Sequence, residues 1–248
     1  MSGAIGPLIL PLLLAVVPTV LAITLHEAAH GYAALAMGDD TARQAGRLSL
    51  NPLVHIDRVG TVLLPGFLLI SQLLTIGHVA FMFGWAKPVP VAAWRFRRPR
   101  QGMMVVAAAG PAMNFLLAWI GALGFYLVPL LAGQPQDSLL TFLFYFMLAN
   151  IALGLFNLLP IPPLDGGRVV VGLLPEPLAR RWEKVERGGL LIVLLLVVFL
   201  PQGLAAFGIA FNPVRTLLTD VADPVFRLLL RLAGNPQGAN LLGGDDGA

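Results

Sequence analysis

Long apolar runs alternate with short polar ones along most of the chain. The first apolar run covers about residues 5–37. At about 1.5 Å per residue a helix of that length reaches about 50 Å, more than the ~30 Å hydrocarbon core of a bilayer requires. Pro18 predicts a kink within it, and Gly38 followed by Asp39 and Asp40 predicts its end. A second run, about residues 60–83, is interrupted by Pro65, Gly66, Gln72 and His78. Further runs cover about 103–131, 139–159 and 188–211, the last with a bend predicted at Pro201. Between the last two lie a Pro/Gly-rich stretch (160–167), a short apolar piece (169–174) and a charged helical segment (176–187). Farther on, Val214, Leu217, Leu218, Val221, Val225, Leu228, Leu229 and Leu232 recur at helical spacing, with charges on other faces. That is the pattern of an amphipathic helix lying at a membrane interface.

The pattern predicts an all-α polytopic membrane protein with about five spanning helices, or six. It divides the chain into a membrane-embedded domain over 1–211, an interfacial amphipathic helix over 212–233 and a Gly/Asn/Asp-rich disordered tail over 234–248. Composition agrees. Of 248 residues 57% are hydrophobic and 12% charged, against about 25% charged in a soluble domain. Such a chain has too little polar surface to wrap a water-soluble core. The net charge of +3 does not point to nucleic acid, because Lys and Arg fall in short clusters between apolar runs, where membrane topology places them. No Lys or Arg precedes the first run, so it lacks the basic start of a cleaved signal peptide and is expected to be retained.

The chain has no cysteine and four histidines, His26, His30, His55 and His78. Disulfides, thiolate metal sites and cysteine nucleophiles are thereby excluded. Residues 26–30 read His-Glu-Ala-Ala-His. On a helix His26 and His30 are four apart and share a face, so both imidazoles reach one metal ion. Glu27 lies close to that face. It is placed to take a proton from a zinc-bound water, whose pKa zinc lowers to about 7, and to pass it to a leaving amine. Two histidines and a carboxylate inside an apolar helix are costly without partners, which argues against chance.

A catalytic zinc usually has three protein ligands. Asp165 is the best candidate for the third, in Asn157-Leu-Leu-Pro-Ile-Pro-Pro-Leu-Asp-Gly-Gly167. Its prolines hold the segment open, and non-helical backbone at membrane depth belongs where it lines a cavity. An equal alternative is that Asp165 simply caps the helix beginning near Gly166.

The two motifs together resemble the site-2 protease family of intramembrane metalloproteases. Supporting pieces are Asn51-Pro-Leu-Val-His-Ile-Asp57, Phe83-Gly-Trp-Ala-Lys-Pro-Val-Pro-Val91 and Gly110-Pro-Ala-Met-Asn114, in the family's order over about residues 8–200. The resemblance implies one zinc ion per chain, held by His26, His30 and Asp165, with Glu27 as general base. It implies that Asn114 holds substrate or the oxyanion, although a helix-packing amide is the alternative. His55, Asp57 and Asn157 become candidates to support the ligands, with an interfacial turn as the other reading of His55 and Asp57. His78 has no motif partner and is read as structural. Asp40 and Arg58 depart from the family, which has proline at both places, and no PDZ-like or nucleotide-sensing domain is recognised. The residue span 1–211 is then a metalloprotease domain of the cell membrane, its site toward the cytoplasm. The resemblance implies as partners the bilayer and a single-span membrane-protein substrate, cut in regulated intramembrane proteolysis.

Three rival readings stand against this one. A catalytically dead scaffold is disfavoured because Glu27 and all three proposed ligands are intact. A membrane metal-binding protein or transporter would use the same histidines but would not need Glu27. A prenyl-protein endopeptidase would want a glutamate ligand in a later helix, and no spanning glutamate is present. One conflict stands out. Loops 39–59, 84–101 and 168–187 all carry Arg or Lys, whereas 132–137 carries none. The positive-inside tendency wants the first three on one side. Residues 60–83 are therefore expected to form a re-entrant hairpin, broken at Pro65-Gly66 or near Gly77, with 83–91 returning as an extended edge beside the site.

Overall fold

A computed structural model describes residues 6–75, 77, 84–186, 188–209 and 211–235. His78 and the tail beyond residue 235 lie outside the described residues. The described residues are helical or irregular, without strands. Four helices are long and apolar enough to cross a membrane: Ile9–Ala36, Arg58–Thr75, Pro99–Leu130 and Gln134–Asn157. The protein is an all-α integral membrane protein.

Helix α1 (Gly6–Ala36) carries Pro11 and Pro18 without interruption. It ends where Gly38 takes φ 98°. The Gly38 N–H donates to the Leu35 carbonyl (3.0 Å) and the Asp39 N–H to Ala34 (2.9 Å). This left-handed helix stop satisfies the last carbonyls and aims Asp39 back toward the bundle.

Helix α2 opens as a π turn over Arg58–Leu63 and continues as Leu64–Thr75. Asp57 caps it by accepting from the N–H groups of Val59 and Gly60. The hairpin is therefore not broken at Pro65-Gly66, because the wider π turn accommodates a proline ring that lacks an N–H. Farther along, Gly77 has φ 74°. By Trp85 the chain is back beside its start. The Trp85 N–H donates to the Gly60 carbonyl (3.1 Å), and the Thr61 hydroxyl donates to the Trp85 carbonyl (2.8 Å). The two ends of 58–85 thus meet on one side, as the charge pattern requires.

Helix α3 (Pro99–Gly124, extended by a 3-10 stretch Phe125–Leu130) is central. It packs against α1, α4 (Gln134–Asn157) and α5 (Asp165–Leu173). Its buried residues include Ala107, Gly110, Ala118, Gly121 and Ala122. In lipid, where hydrophobicity does not drive helices together, such small residues let backbones approach closely.

Helix α6 (Glu176–Glu186) follows α5, and Arg100 at the start of α3 pairs with Glu176. The fifth predicted span is shorter than expected. As α7 it is helical over Gly189–Leu194, takes a π form over Leu195–Phe199 and ends in Leu200–Ala206.

The last helix, α8, joins Pro213–Thr216, a π stretch Leu217–Ala222 and Asp223–Leu232. Ala222, Phe226, Leu229, Leu230 and Ala233 enter a cluster with Ala118, Ala122, Phe125 and Val128 of α3 and Leu143, Met147 and Ile151 of α4, and Val225 packs against it. Leu228 and Leu232 stay exposed. Part of the apolar stripe (Val225 and Leu229) thus meets the bundle together with Phe226, and the rest faces outward.

Candidate active site

His26 and His30 lie one turn apart on α1, and both are buried. Each donates its Nδ1 hydrogen to a carbonyl oxygen: His26 to Oδ1 of Asn114 (2.6 Å), His30 to the main-chain oxygen of Val106 (2.7 Å). Neither acceptor has a hydrogen to give, provided the Asn114 amide is oriented with its nitrogen elsewhere. It is: its Nδ2 donates to the Ala22 carbonyl (3.3 Å) and to Oδ1 of Asn150 (2.9 Å). In the neutral form that a metal requires, both imidazoles therefore carry their hydrogens on Nδ1, which leaves both Nε2 atoms as lone-pair donors.

Those lone pairs converge with a carboxylate. Oδ2 of Asp165 lies 3.1 Å from His26 Nε2 and 3.2 Å from His30 Nε2. The two Nε2 atoms are 3.1 Å apart. Asp165 is the first residue of α5, whose N-cap position is Leu164, so Asp165 does not occupy the capping position. Gly166 permits the approach. A Cβ there would stand 2.3 Å from the carbonyl oxygens of Leu158 and Leu159.

Three lone pairs in a buried triangle repel one another unless a cation sits among them. Asp165 Oδ2 is correspondingly buried without a hydrogen-bond partner. Four-coordinate zinc with bonds of 2.0–2.1 Å places its ligands about 3.3 Å apart, close to the observed edges. The donor set of two imidazoles and one carboxylate suits zinc. It is the group of possible metal-holding residues found among the described residues.

Gly110 of α3 forms the floor. A Cβ at that position would lie 2.5 Å from Cε1 and Nε2 of His30 and 2.6 Å from Cε1 of His26. Glu27 is half-buried on the same face of α1, and its Oε2 accepts from the Val89 N–H (3.2 Å).

Val89 belongs to the extended segment 84–92, which runs past the site without pairing in a strand ladder. Two buried ionic side chains hold it. Arg47 donates to the carbonyls of Val54 and Lys87. Asp39 accepts from the Ala92 N–H (2.6 Å) and from both the N–H and hydroxyl of Thr41. Burial alone would raise the Asp39 pKa. The hydrogen bonds from Thr41 and Ala92, with the Arg95 charge nearby, outweigh burial and hold it below the usual carboxylate value.

The four other predicted residues make different contacts. Asn114 has its oxygen on His26 and its nitrogen on Ala22 and Asn150, and it is fully buried. No hydrogen remains for an oxyanion, so it orients a histidine instead. His55 donates through Nε2 to the Ser49 carbonyl (2.9 Å), its main-chain oxygen accepts from Lys87, and Asp57 is a helix cap. Both shape the turn that supports 84–92 and make no hydrogen bond to the histidine pair. Asn157 donates back to the Leu153 carbonyl of its own helix, which occupies it away from the ligands. Asn150, Asp39 and Arg47 are the residues that sequence reasoning missed. The signal for Asn150 was present, since it is an amide in an otherwise apolar span.

Comparison with known proteins agrees with this geometry. Peptidase family M50 matches residues 132–200, the part that contains Asp165. The protein named "Putative zinc metalloprotease YwhC" from Bacillus subtilis is 35% identical over 222 residues, covering 87% of this chain and 93% of that protein. Rip2 of Mycolicibacterium smegmatis, likewise named a zinc metalloprotease, is 30% identical over 181 residues, covering 72% of this chain and 64% of Rip2. No solved structure matches the chain. With a His-His-carboxylate triangle at the heart of a helical membrane bundle and a relative matched along nearly its whole length, the chain belongs to peptidase family M50, the site-2 protease family of membrane zinc metalloproteases.

Proposed function

We propose that this protein hydrolyses peptide bonds in or beside transmembrane segments of other membrane proteins. One zinc per chain would be held by His26, His30 and Asp165. The observation that carries the reading is the meeting of three bare lone pairs at edges of 3.1–3.2 Å, with Glu27 adjoining His26 on the same helix. Zinc would supply a Lewis acid there, polarising the scissile carbonyl and acidifying the attacking water. Glu27 would act as the general base and return the proton to the departing amine. The Val89 N–H donates to Oε2 of Glu27 and holds one oxygen of that carboxylate.

A substrate helix hides its amides in its own hydrogen bonds, so it must unwind before attack. Segment 84–92 offers a place for the unwound chain. Trp85 and Lys87 are tied inward to Gly60, Thr61 and His55, while Pro88 and Pro90 on alternate residues contribute no donors. A substrate strand laid along the outer edge would therefore supply the donors itself. The basic loops on the side of the site support a cytoplasmic orientation under the positive-inside tendency.

The test compares wild type with Glu27→Gln, purified in detergent, for bound zinc and for cleavage of a single-span substrate. Zinc retained with cleavage lost is the expected result. Equal cleavage by both forms would remove Glu27 from the mechanism. Zinc in both and cleavage of no helical substrate by wild type would favour a metal-binding or transport role.

A further inference from the structure

We propose that Asn150, an amide in the middle of α4, is a positioning residue for the metal centre. Acting through Asn114, it holds His26 in the tautomer that leaves Nε2 bare. The proposal rests on the reading of His26, His30 and Asp165 as zinc ligands.

The argument is one of direction. Asn150 is fully buried. Its Nδ2 donates to the main-chain oxygen of Phe146 (2.8 Å), an atom that can only accept. That contact fixes which way the amide points and turns Oδ1 toward α3. There it accepts from Asn114 Nδ2 at 2.9 Å. The orientation of Asn114 is thereby set, with its own oxygen facing His26 Nδ1 at 2.6 Å. His26 must then carry its hydrogen on Nδ1 and offer Nε2 to the metal. Every bond in the relay has one permitted sense, and the relay ends on a carbonyl of the α4 backbone. It passes through three helices, so it also sets the spacing of α1, α3 and α4 around the ligand.

The second contact of Asn114, to Ala22, is longer at 3.3 Å and comes from α1 itself. Asn150 is the partner that ties the relay to α4, which leads directly to the Asp165 segment. The partner of a metal-bound imidazole typically governs metal affinity by about 10–100-fold. A residue that fixes that partner is expected to act in the same range and only through it. Burying an amide in an apolar span is costly without such partners, which is the physical reason an isolated asparagine is seated there.

The experiment measures zinc affinity by chelator competition on the full-length protein in detergent. The forms are wild type, Asn150→Leu, Asn150→Asp, Asn114→Leu and the Asn114→Leu/Asn150→Leu pair. Asn150→Leu keeps the volume and removes the acceptor, and is expected to weaken zinc binding about 10–100-fold. Asn150→Asp, in its protonated form, keeps an oxygen facing Asn114 and an O–H for the Phe146 carbonyl, and should retain more zinc affinity than Asn150→Leu. In the double variant the Asn150 change should add nothing, because its route is already cut. Nitrogen-15 spectra of the zinc-free protein give a second readout. The His26 ring should be Nδ1-protonated in wild type and a tautomer mixture in Asn150→Leu.

Wild-type affinity and an unchanged tautomer in Asn150→Leu would overturn the proposal, as would a full additional loss in the double variant. Should Asn150→Leu fail to fold, Asn150→Ala carries the same two readouts. A wild type that binds no zinc overturns the zinc reading and this proposal with it. A wild type and Asn150→Leu that bind zinc equally overturn this proposal alone.

Discussion

At the residue scale, the centre depends on groups that contribute no ligand. The two histidines are aimed by acceptors on α3, and the space for them is the missing side chain of Gly110. Gly110→Ala would drive a methyl into both rings. Overpacking of this kind costs about 1–3 kcal/mol, and here the atoms that must yield are the presumed zinc donors. The expected outcome is a protein with a lower melting temperature and markedly weaker zinc binding. Gly203→Ala is the control, since its new methyl meets nothing within 4 Å and should leave zinc binding unchanged. Equal zinc affinity in the two variants would show that α3 does not press on the rings.

At the element scale, the extended segment 84–92 is held by charge rather than by a sheet. Arg47 and Asp39, both buried, bind its carbonyl and N–H groups from the loop after α1. Removing Arg47 leaves the carbonyls of Val54 and Lys87 without that donor, at a cost of about 1–3 kcal/mol. Arg47→Met is therefore expected to speed amide exchange across 84–92 while leaving α4 protected, as hydrogen-exchange mass spectrometry would read it. Asp39 makes the same fastening pH-dependent. Its folded pKa lies below the ordinary value of about 3.9. Its stabilisation is therefore complete above that pH and disappears as pH falls through the folded pKa. Wild type should lose more thermal stability than Asp39→Asn as pH drops below about 4. Parallel loss in both would assign the acid sensitivity to other groups.

At the scale of the whole molecule, the return of residues 58–85 to their starting level decides topology. It puts the loop after α1, the extended segment and the loop holding Asp165 on one side. The turn between α3 and α4 lies at the opposite end of the bundle, beside the cluster that receives α8. The chain has no native cysteine, so single cysteines report position cleanly. Arg58→Cys and Arg97→Cys, both exposed, should label from the same face of sealed vesicles, and Asp137→Cys from the other. Labelling of the first two from opposite faces would mean that 58–85 crosses the membrane.

The amino-acid sequence by itself determined the membrane class, the approximate helices and the pairing of His26 with His30. Hydrophobic length and a spacing of four are local properties, written into consecutive residues. It also marked Asp165 as a candidate ligand, an acid among prolines at the end of a span, but left helix capping as an equal alternative. Only the tertiary structure decided that this carboxylate joins the histidines instead of capping α5, since that depends on α1 and α5 both packing against α3, where Gly110 lies against the histidine rings. The same holds for Asn114 and Asn150, whose hydrogen-bond directions are set by neighbours from other helices. The face that α8 buries was equally illegible. Its apolar surface is wide, and only the cluster formed with α3 and α4 decides that Phe226 and Leu230 are buried beside Leu229 while Leu228 and Leu232 are not. Periodicity records that a face is apolar, whereas packing determines which apolar face finds a partner.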